Sequence, residues 1–223
     1  MKKNDLRAER KLQRKRENKK FILEAAEKVF SQKGYSQATV DDISDEAQFS
    51  KATIYRYFDS KSDIFSEIIM DSFLEACKNL LRISKQTQSA AERVEEIIHF
   101  ILSYFRSKKN IARIFLMERS SMKQVLGMDI DDHVMPIDSK KHIPDDYLKI
   151  IKDIFAAMCK VIQEGIDSGE FRKVDPREAC FILGAMLRGF NFKGPLHEKE
   201  YSIEKSTELV YSFFLNGLKK TID

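Results

Sequence analysis

Between Thr39 and Lys61, in TVDDISDEAQFSKATIYRYFDSK, hydroxyl, ammonium and phenol groups stand at the spacing of two short helices joined by a tight turn. The chemistry this set suits is contact with a DNA duplex, where such groups meet phosphates and base edges. Thr39 followed three residues later by Asp42 predicts a helix start, with the hydroxyl capping an orphan amide and the carboxylate at the positive helix end. Val40, Ile43 and Ala47 then share one helical face. Phe49 is apolar enough to turn inward, and Ser50 can cap a second helix, expected from Lys51 to Phe58. Ile54 and Phe58, four apart, would bury together. Lys51, Ala52, Thr53 and Tyr55 are left to face a groove, with Tyr57 also outward. Two short helices across a three-residue turn match a helix-turn-helix, whose second helix enters the major groove. The alternative is a short helical hairpin inside an ordinary all-α core.

That pair must be carried by other elements, and the pattern before it supplies them. Ile22, Ala25, Ala26, Val29 and Phe30 make a helical stripe, and Gly34 is placed to end it in a left-handed cap. Upstream, residues 1–20 hold 10 Lys/Arg and 3 Asp/Glu with few apolar residues. Such a stretch is expected as a disordered arm or a frayed helical extension, able to track phosphates or enter a minor groove. A solvated solubilising tail is the other reading. Residues 1–61 carry 15 Lys/Arg against 10 Asp/Glu, whereas residues 62–223 carry 24 against 25. The positive charge is therefore concentrated where DNA contact is expected.

The run from Ile22 to Phe65 resembles the DNA-binding domain of the TetR family of bacterial transcriptional regulators. The resemblance rests on AAEKVFSQKGY, Thr39 opening the second helix, Ser50-Lys51-Ala52-Thr53-Ile54-Tyr55 in the third, Tyr57-Phe58 at its end, and Lys61. It implies DNA-binding residues Thr39, Ser50, Lys51, Ala52, Thr53, Tyr55, Tyr57 and Lys61, the last as a phosphate contact at the start of a fourth helix. The sequence departs from the family at the turn, where Gln48 stands in place of the usual Gly, and at Ala52, where Gly is common. Gln48 must then hold a left-handed backbone at roughly 1–2 kcal/mol.

A chain of 223 residues with 43% hydrophobic and 33% charged residues has ample material for a core. No apolar run reaches the 18 or so residues of a membrane span, and the N-terminus lacks a signal-like apolar segment, so no membrane partner and a cytoplasmic location are expected. Catalysis is not expected. His99, His133, His142 and His197 show no metal-ligand spacing, and no phosphate loop or nucleophile elbow is present. No metal or cofactor is expected. Cys77, Cys159 and Cys180, far apart in sequence and set in apolar patterns, read as reduced residues of the core, a redox sensor being the sharper alternative.

Beyond Lys61 the helical stripes continue. Ile64 to Leu80, Ala91 to Phe105, Ile111 to Met117 and Tyr147 to Ile166 are amphipathic, while residues 120–145 read as a loop with one short helix near Met122 to Leu126. Pro144 suits the first turn of the helix that follows. Arg177 to Phe192 is apolar nearly all round, and the last helix, Ile203 to Leu218, has a broad apolar stripe. The resemblance implies that these two pair with their symmetry mates in a homodimer, which suits a palindromic double-stranded DNA operator. The segments GEF and DP-x-x-A are similar to the family's regulatory domain.

The 16 Phe and 8 Met point to an adaptable interior for a small-molecule effector of largely apolar type. Phe73, His99, Tyr104, Phe115, Met158 and Phe181 are the candidate ligand-binding residues, against plain core packing. The expected fold is all-α, with an arm over 1–20, a three-helix DNA-binding domain over 21–66 and a ligand-binding and dimerisation domain over 67–223. The expected function is a DNA-binding transcriptional regulator, a repressor released by its effector. The alternative is a helical protein-binding adaptor without sequence-specific DNA binding.

Overall fold

The computed structural model describes residues 3–126, 145–192 and 201–218. Among them are ten helices and no strand: α1 (Lys3–Lys33), α2 (Val40–Ala47), α3 (Lys51–Tyr55), α4 (Lys61–Ser84), α5 (Ala90–Ser107), α6 (Lys109–Met117), α7 (Arg119–Leu126), α8 (Asp145–Asp167), α9 (Pro176–Phe192) and α10 (Ile203–Leu218). The all-α class with an N-terminal helix-turn-helix is as expected.

The basic arm is the first half of α1, one helix of 31 residues. Its Lys, Arg, Glu and Gln are good helix formers, and Gln13 donates to Glu17 four residues on at 2.8 Å. Gly34 ends α1 with φ +77°, the left-handed conformation its spacing predicted. Ser60 caps the start of α4, its Oγ accepting the Asp63 amide at 3.1 Å. The short helix expected near Met122 to Leu126 is α7. The remaining loop, with Pro144, lies outside the described residues.

Two apolar clusters hold these helices. In the first, Ile22 and Phe30 of α1 meet Ile43, Ile54, Ile64 and Phe65, joined by Ile111 and Ile114 of α6 and Met122 of α7. The core beneath the helix-turn-helix thus reaches past residue 66 into α6 and α7. Phe30 and Phe65 meet edge to face with centroids 5.4 Å apart. The second cluster joins Val94, Ile98 and Leu102 of α5 to Val161 and Ile162 of α8, Leu183 and Leu187 of α9, and Val210 and Phe214 of α10.

The GEF segment between α8 and α9 has a physical reason at each position. Gly169 holds φ +80°. Glu170 accepts the Ala91 amide at 3.0 Å, satisfying the start of α5. Phe171 is buried so closely on Gly165 that a Cβ there would lie 2.3 Å from its ring.

Candidate nucleic-acid interface

The reading pair is built from local caps. At the start of α2 the Thr39 hydroxyl accepts the Asp42 amide at 3.1 Å, while the Asp42 carboxylate accepts the Thr39 amide at 3.0 Å. Asp42 also takes Lys33 at 2.7 Å, and these bonds, with Lys33 the largest cause, hold its carboxyl down at about 2. Gln48 sits at φ 55°, ψ 36°, the left-handed turn its position requires, and is the one described non-glycine residue at positive φ. Its amide donates to the Asp45 carbonyl and that of Phe49 to Ser44, closing the end of α2. Ser50 then caps α3, its Oγ accepting the Thr53 amide at 3.2 Å.

Ile54, fully buried, fixes α3 to the core, as does Phe58 just beyond it. α3 closes at Tyr55, three residues short of the Lys51 to Phe58 expected, and the chain continues in tighter bonds from Arg56 and Tyr57 to the Thr53 and Ile54 carbonyls. Periodicity overestimated the helix because Phe58 is buried whether or not the α-ladder reaches it. Outward stand Thr39, Ser50, Lys51, Ala52 and Tyr55, with Thr53 half-buried. Lys51 pairs with Asp41 at 2.9 Å. This pair is exposed and exchangeable for a phosphate. The Asp41 hydrogen bond raises the Lys51 pKa, so the ammonium stays charged.

Tyr57 is half-buried, and Asn18 of α1 donates to its hydroxyl at 3.1 Å. Lys19 pairs with Glu67 at 2.6 Å and lies 5.4 Å from the centre of the Phe58 ring. These contacts set the angle at which the arm leaves the core. Between the arm and the turn after α3 runs an open groove of about 500 Å3 lined by Arg7, Arg10, Lys11, Arg14, Lys15, Asn18, Arg56 and Tyr57. A concave wall of one charge sign concentrates anions. Arg56 belongs to this surface but not to the residues singled out by sequence. Its one signal there was a cation between two tyrosines just past the reading helix.

Lys61, expected as a phosphate contact, is also tied to its own chain: its ammonium donates to the Tyr35 and Ala38 carbonyls at 2.7 and 2.8 Å and lies 4.5 Å from the centre of the Tyr35 ring. Those carbonyls belong to the turn between α1 and α2, which has no ladder to satisfy them. A charge at a helix start was legible; the turn folding back onto it was not.

Of the candidate ligand contacts, His99 is exposed on α5 beside Glu204 of α10. Tyr104 is buried, and its hydroxyl donates to the Ser72 carbonyl of α4 at 2.8 Å, with the Glu75 carboxylate 3.3 Å away. Burial first, then that carboxylate, pushes the phenol up. Phe115 is half-buried against the first cluster and meets Phe105 edge to face at 5.9 Å. Phe73, Met158 and Phe181 are half-buried on α4, α8 and α9.

The three cysteines are free, consistent with their reading as reduced residues. Cys77 is buried, and burial pushes its thiol up to about 12. Cys159 and Cys180, both half-buried, come near one another where α8 meets α9. Burial, with the neighbouring thiol adding to it, raises Cys180, which keeps it protonated and a slow nucleophile. Among the described residues no three His, Cys, Asp or Glu side chains come together as a metal site, and no helix is long and apolar enough to cross a membrane.

A capped, outward-facing α3 on a left-handed turn, flanked by a basic groove, defines a helix-turn-helix DNA-binding regulator. Residues 22–68 match the model of bacterial regulatory proteins of the tetR family, and residues 106–220 match that of the QacR-like C-terminal region. The chain belongs to the TetR family of transcriptional regulators. It is 32% identical over 213 residues to the HTH-type transcriptional regulator HbdR of Aromatoleum sp. (strain CIB), spanning 92% of this chain and 84% of HbdR. Among solved structures, the fatty acid degradation regulator FadR from Bacillus halodurans overlays with a TM-score of 0.70 at 17% identity, covering 91% of this chain and 97% of FadR. FadR from Bacillus subtilis, solved in complex with stearoyl-CoA, overlays with a TM-score of 0.66 at 20% identity, covering 89% and 98%. At these identities the two FadR structures speak for the fold.

Proposed function

We propose that the chain is a homodimeric repressor that docks α3 of each subunit in successive major grooves of a palindromic operator and leaves it when an apolar effector binds the helical domain. The observation that carries the DNA contact is the outward face of α3, with Lys51, Ala52, Thr53 and Tyr55 toward the bases and Thr39, Ser50 and Arg56 toward phosphates. Tyr57 contributes by orienting the arm. Residues 1–20 form the arm, 21–66 the reading domain and 67–223 the regulatory and dimerisation domain. Ile182 on α9 and Phe213 on α10, 52% and 72% exposed, support a partner subunit over these last two helices. A dimer suits half-sites about one helical turn apart or a multiple of it.

For the effector we propose a long-chain acyl thioester, on the strength of the overlay with the stearoyl-CoA complex. Phe73, Phe115, Met158 and Phe181 are its proposed apolar contacts. An effector that favours another separation of the two reading heads must bind that state better, with a coupling of order 1–3 kcal/mol.

The test begins with selection of duplexes from a random library by the full-length protein. Thr53→Ala and Tyr55→Ala should each weaken binding to the selected duplex by about 1–3 kcal/mol while leaving the fold intact. Unchanged affinity and sequence preference in both variants would refute the assignment of α3. Added stearoyl-CoA should release the duplex; no change across its soluble range would remove that effector class. Deleting residues 3–18 should flatten the salt dependence of duplex affinity, and equal slopes would take the arm out of the interface. Capture of a stoichiometric protein partner with no enriched duplex would favour the adaptor.

A further inference from the structure

The turn between α1 and α2 is held from the side opposite Lys61 by a residue that no feature of the DNA-reading motif contains. Glu118, 9% exposed at the corner where α6 gives way to α7, accepts the Tyr35 backbone N–H at 3.0 Å on Oε1. Its other oxygen accepts the Ser121 hydroxyl at 2.6 Å, which fixes the carboxylate in place. Gly34 leaves the space that this carboxylate fills: a Cβ there would lie 2.7 Å from Glu118 Oε1, and φ +77° excludes one independently. Tyr35 therefore has both backbone groups held by charged side chains, its carbonyl by Lys61 of α4 and its amide by Glu118.

This bond differs in kind from the other contacts between the reading head and α6–α7. Ile111, Ile114 and Met122 join the head's core through apolar contact, which is not directional and tolerates sliding. Ser31 Oγ bonds Asn110 Oδ1 at 3.1 Å near the start of α6, a neutral pair on the flank of α1. A carboxylate accepting a backbone amide is angle-dependent, and about twice as strong as a neutral bond. It also acts on the segment that leads directly into the Thr39 cap of α2. Displacing the α6–α7 corner would pull on that segment or release it.

We propose that Glu118 is a positioning residue for DNA reading: it transmits the placement of the α6–α7 corner to the α1–α2 turn and so sets the angle of α2 and α3. The proposal rests on the reading of α3 as the DNA-contacting helix. Its test combines duplex affinity with amide hydrogen exchange in the full-length protein, for Glu118→Ala, Glu118→Asp and Glu118→Gln. Glu118→Asp withdraws the oxygens by one methylene yet keeps the charge, so it serves even where Glu118→Ala does not fold. Glu118→Gln keeps an oxygen that can accept the Tyr35 amide.

The expected result is a selective loss of protection at Tyr35 and through residues 40–55 in Glu118→Asp and Glu118→Ala, with α9 and α10 unchanged. Affinity for the duplex selected by the unaltered protein should fall about tenfold, the size of one charge-assisted bond. Glu118→Gln should recover most of both. Unchanged exchange at Tyr35 in Glu118→Asp would overturn the proposal, as would equal losses of affinity in Glu118→Gln and Glu118→Asp. A uniform loss of protection across the whole chain in Glu118→Asp would also overturn it, since that is the mark of plain stability. If the unaltered protein enriches no duplex, the DNA reading itself fails, while the exchange at Tyr35 still decides whether the bond restrains the head.

Discussion

The reading head and the α8–α10 half are both all-helical, yet they are organised by different rules. In the head, the caps and turn of the reading pair come from short-range bonds: Thr39 with Asp42, Ser50 with Thr53, Gln48 in its turn, each within three or four residues. In α8–α10 the defining contacts join residues tens of positions apart, as Glu170 does in capping α5 and Phe171 in lying on Gly165 beside Ala90. A head that must fit one unchanging partner, the DNA groove, is constrained position by position. A domain whose proposed partners are a small molecule and a second subunit is constrained by what its helices enclose.

The comparison predicts different responses to substitution, and the largest concerns the head's core. Phe65 is fully buried between Phe30 and Tyr35. Phe65→Ala should cost about 3–5 kcal/mol, read by chemical denaturation. Because α6 shares that cluster, fluorescence probes placed on α3 and α6 should report a single transition. Two separated transitions would show that head and regulatory half are less joined than their common core implies.

In the other half the sensitive positions face outward. Ile182→Asp with Phe213→Asp should convert a dimer to monomers in sedimentation while leaving helix content unchanged, since neither side chain is buried within its own subunit. Retained dimer would move the interface elsewhere.

A smaller and opposite effect is expected at the turn. Gln48→Gly should raise unfolding stability by about 1 kcal/mol, because glycine holds φ 55° without a Cβ penalty, offset in part by its freer unfolded chain. A fall in stability would mean that the Gln48 side chain contributes contacts that outweigh its strain.

Smallest is an acid response confined to the head. Asp42 is depressed to about 2, so the stability it contributes is present above the ordinary carboxylate range and lost as pH falls from about 4 toward about 2. Asp42→Asn should remove this part of the acid transition in α2, followed by amide exchange as a function of pH. An unchanged profile would assign the acid sensitivity to other carboxylates.

How much of this was legible in the sequence follows the same division. The caps, the inward Phe49, the left-handed Gln48 and Gly34, and the buried Ile54 and Phe58 could be read because each is a bond or a period within one or two turns. The length of α3 could not, since burial of Phe58 does not require an α-ladder. The surroundings of Lys61, His99, Cys159 and Cys180 were not legible because they come from other elements: a turn folded over Lys61, an outward face of α5, a contact of α8 with α9. Glu118 gave only a faint signal, a carboxylate directly after the amphipathic segment IARIFLM, which reads equally well as an ordinary polar helix end.

The single helix α1 joins what those rules separate. Its 31 residues make a rod of roughly 46 Å at about 1.5 Å per residue. One end carries the arginines of the basic groove, and the other reaches Gly34, against which Glu118 presses. Such a rod works as a lever: a tilt of about 5° at the Glu118 end would swing the arginine end by about 4 Å over that length, more than a hydrogen bond can stretch. A displacement too small to uncover any core at the α6–α7 corner would thus be enough to shift the arm proposed to track phosphates.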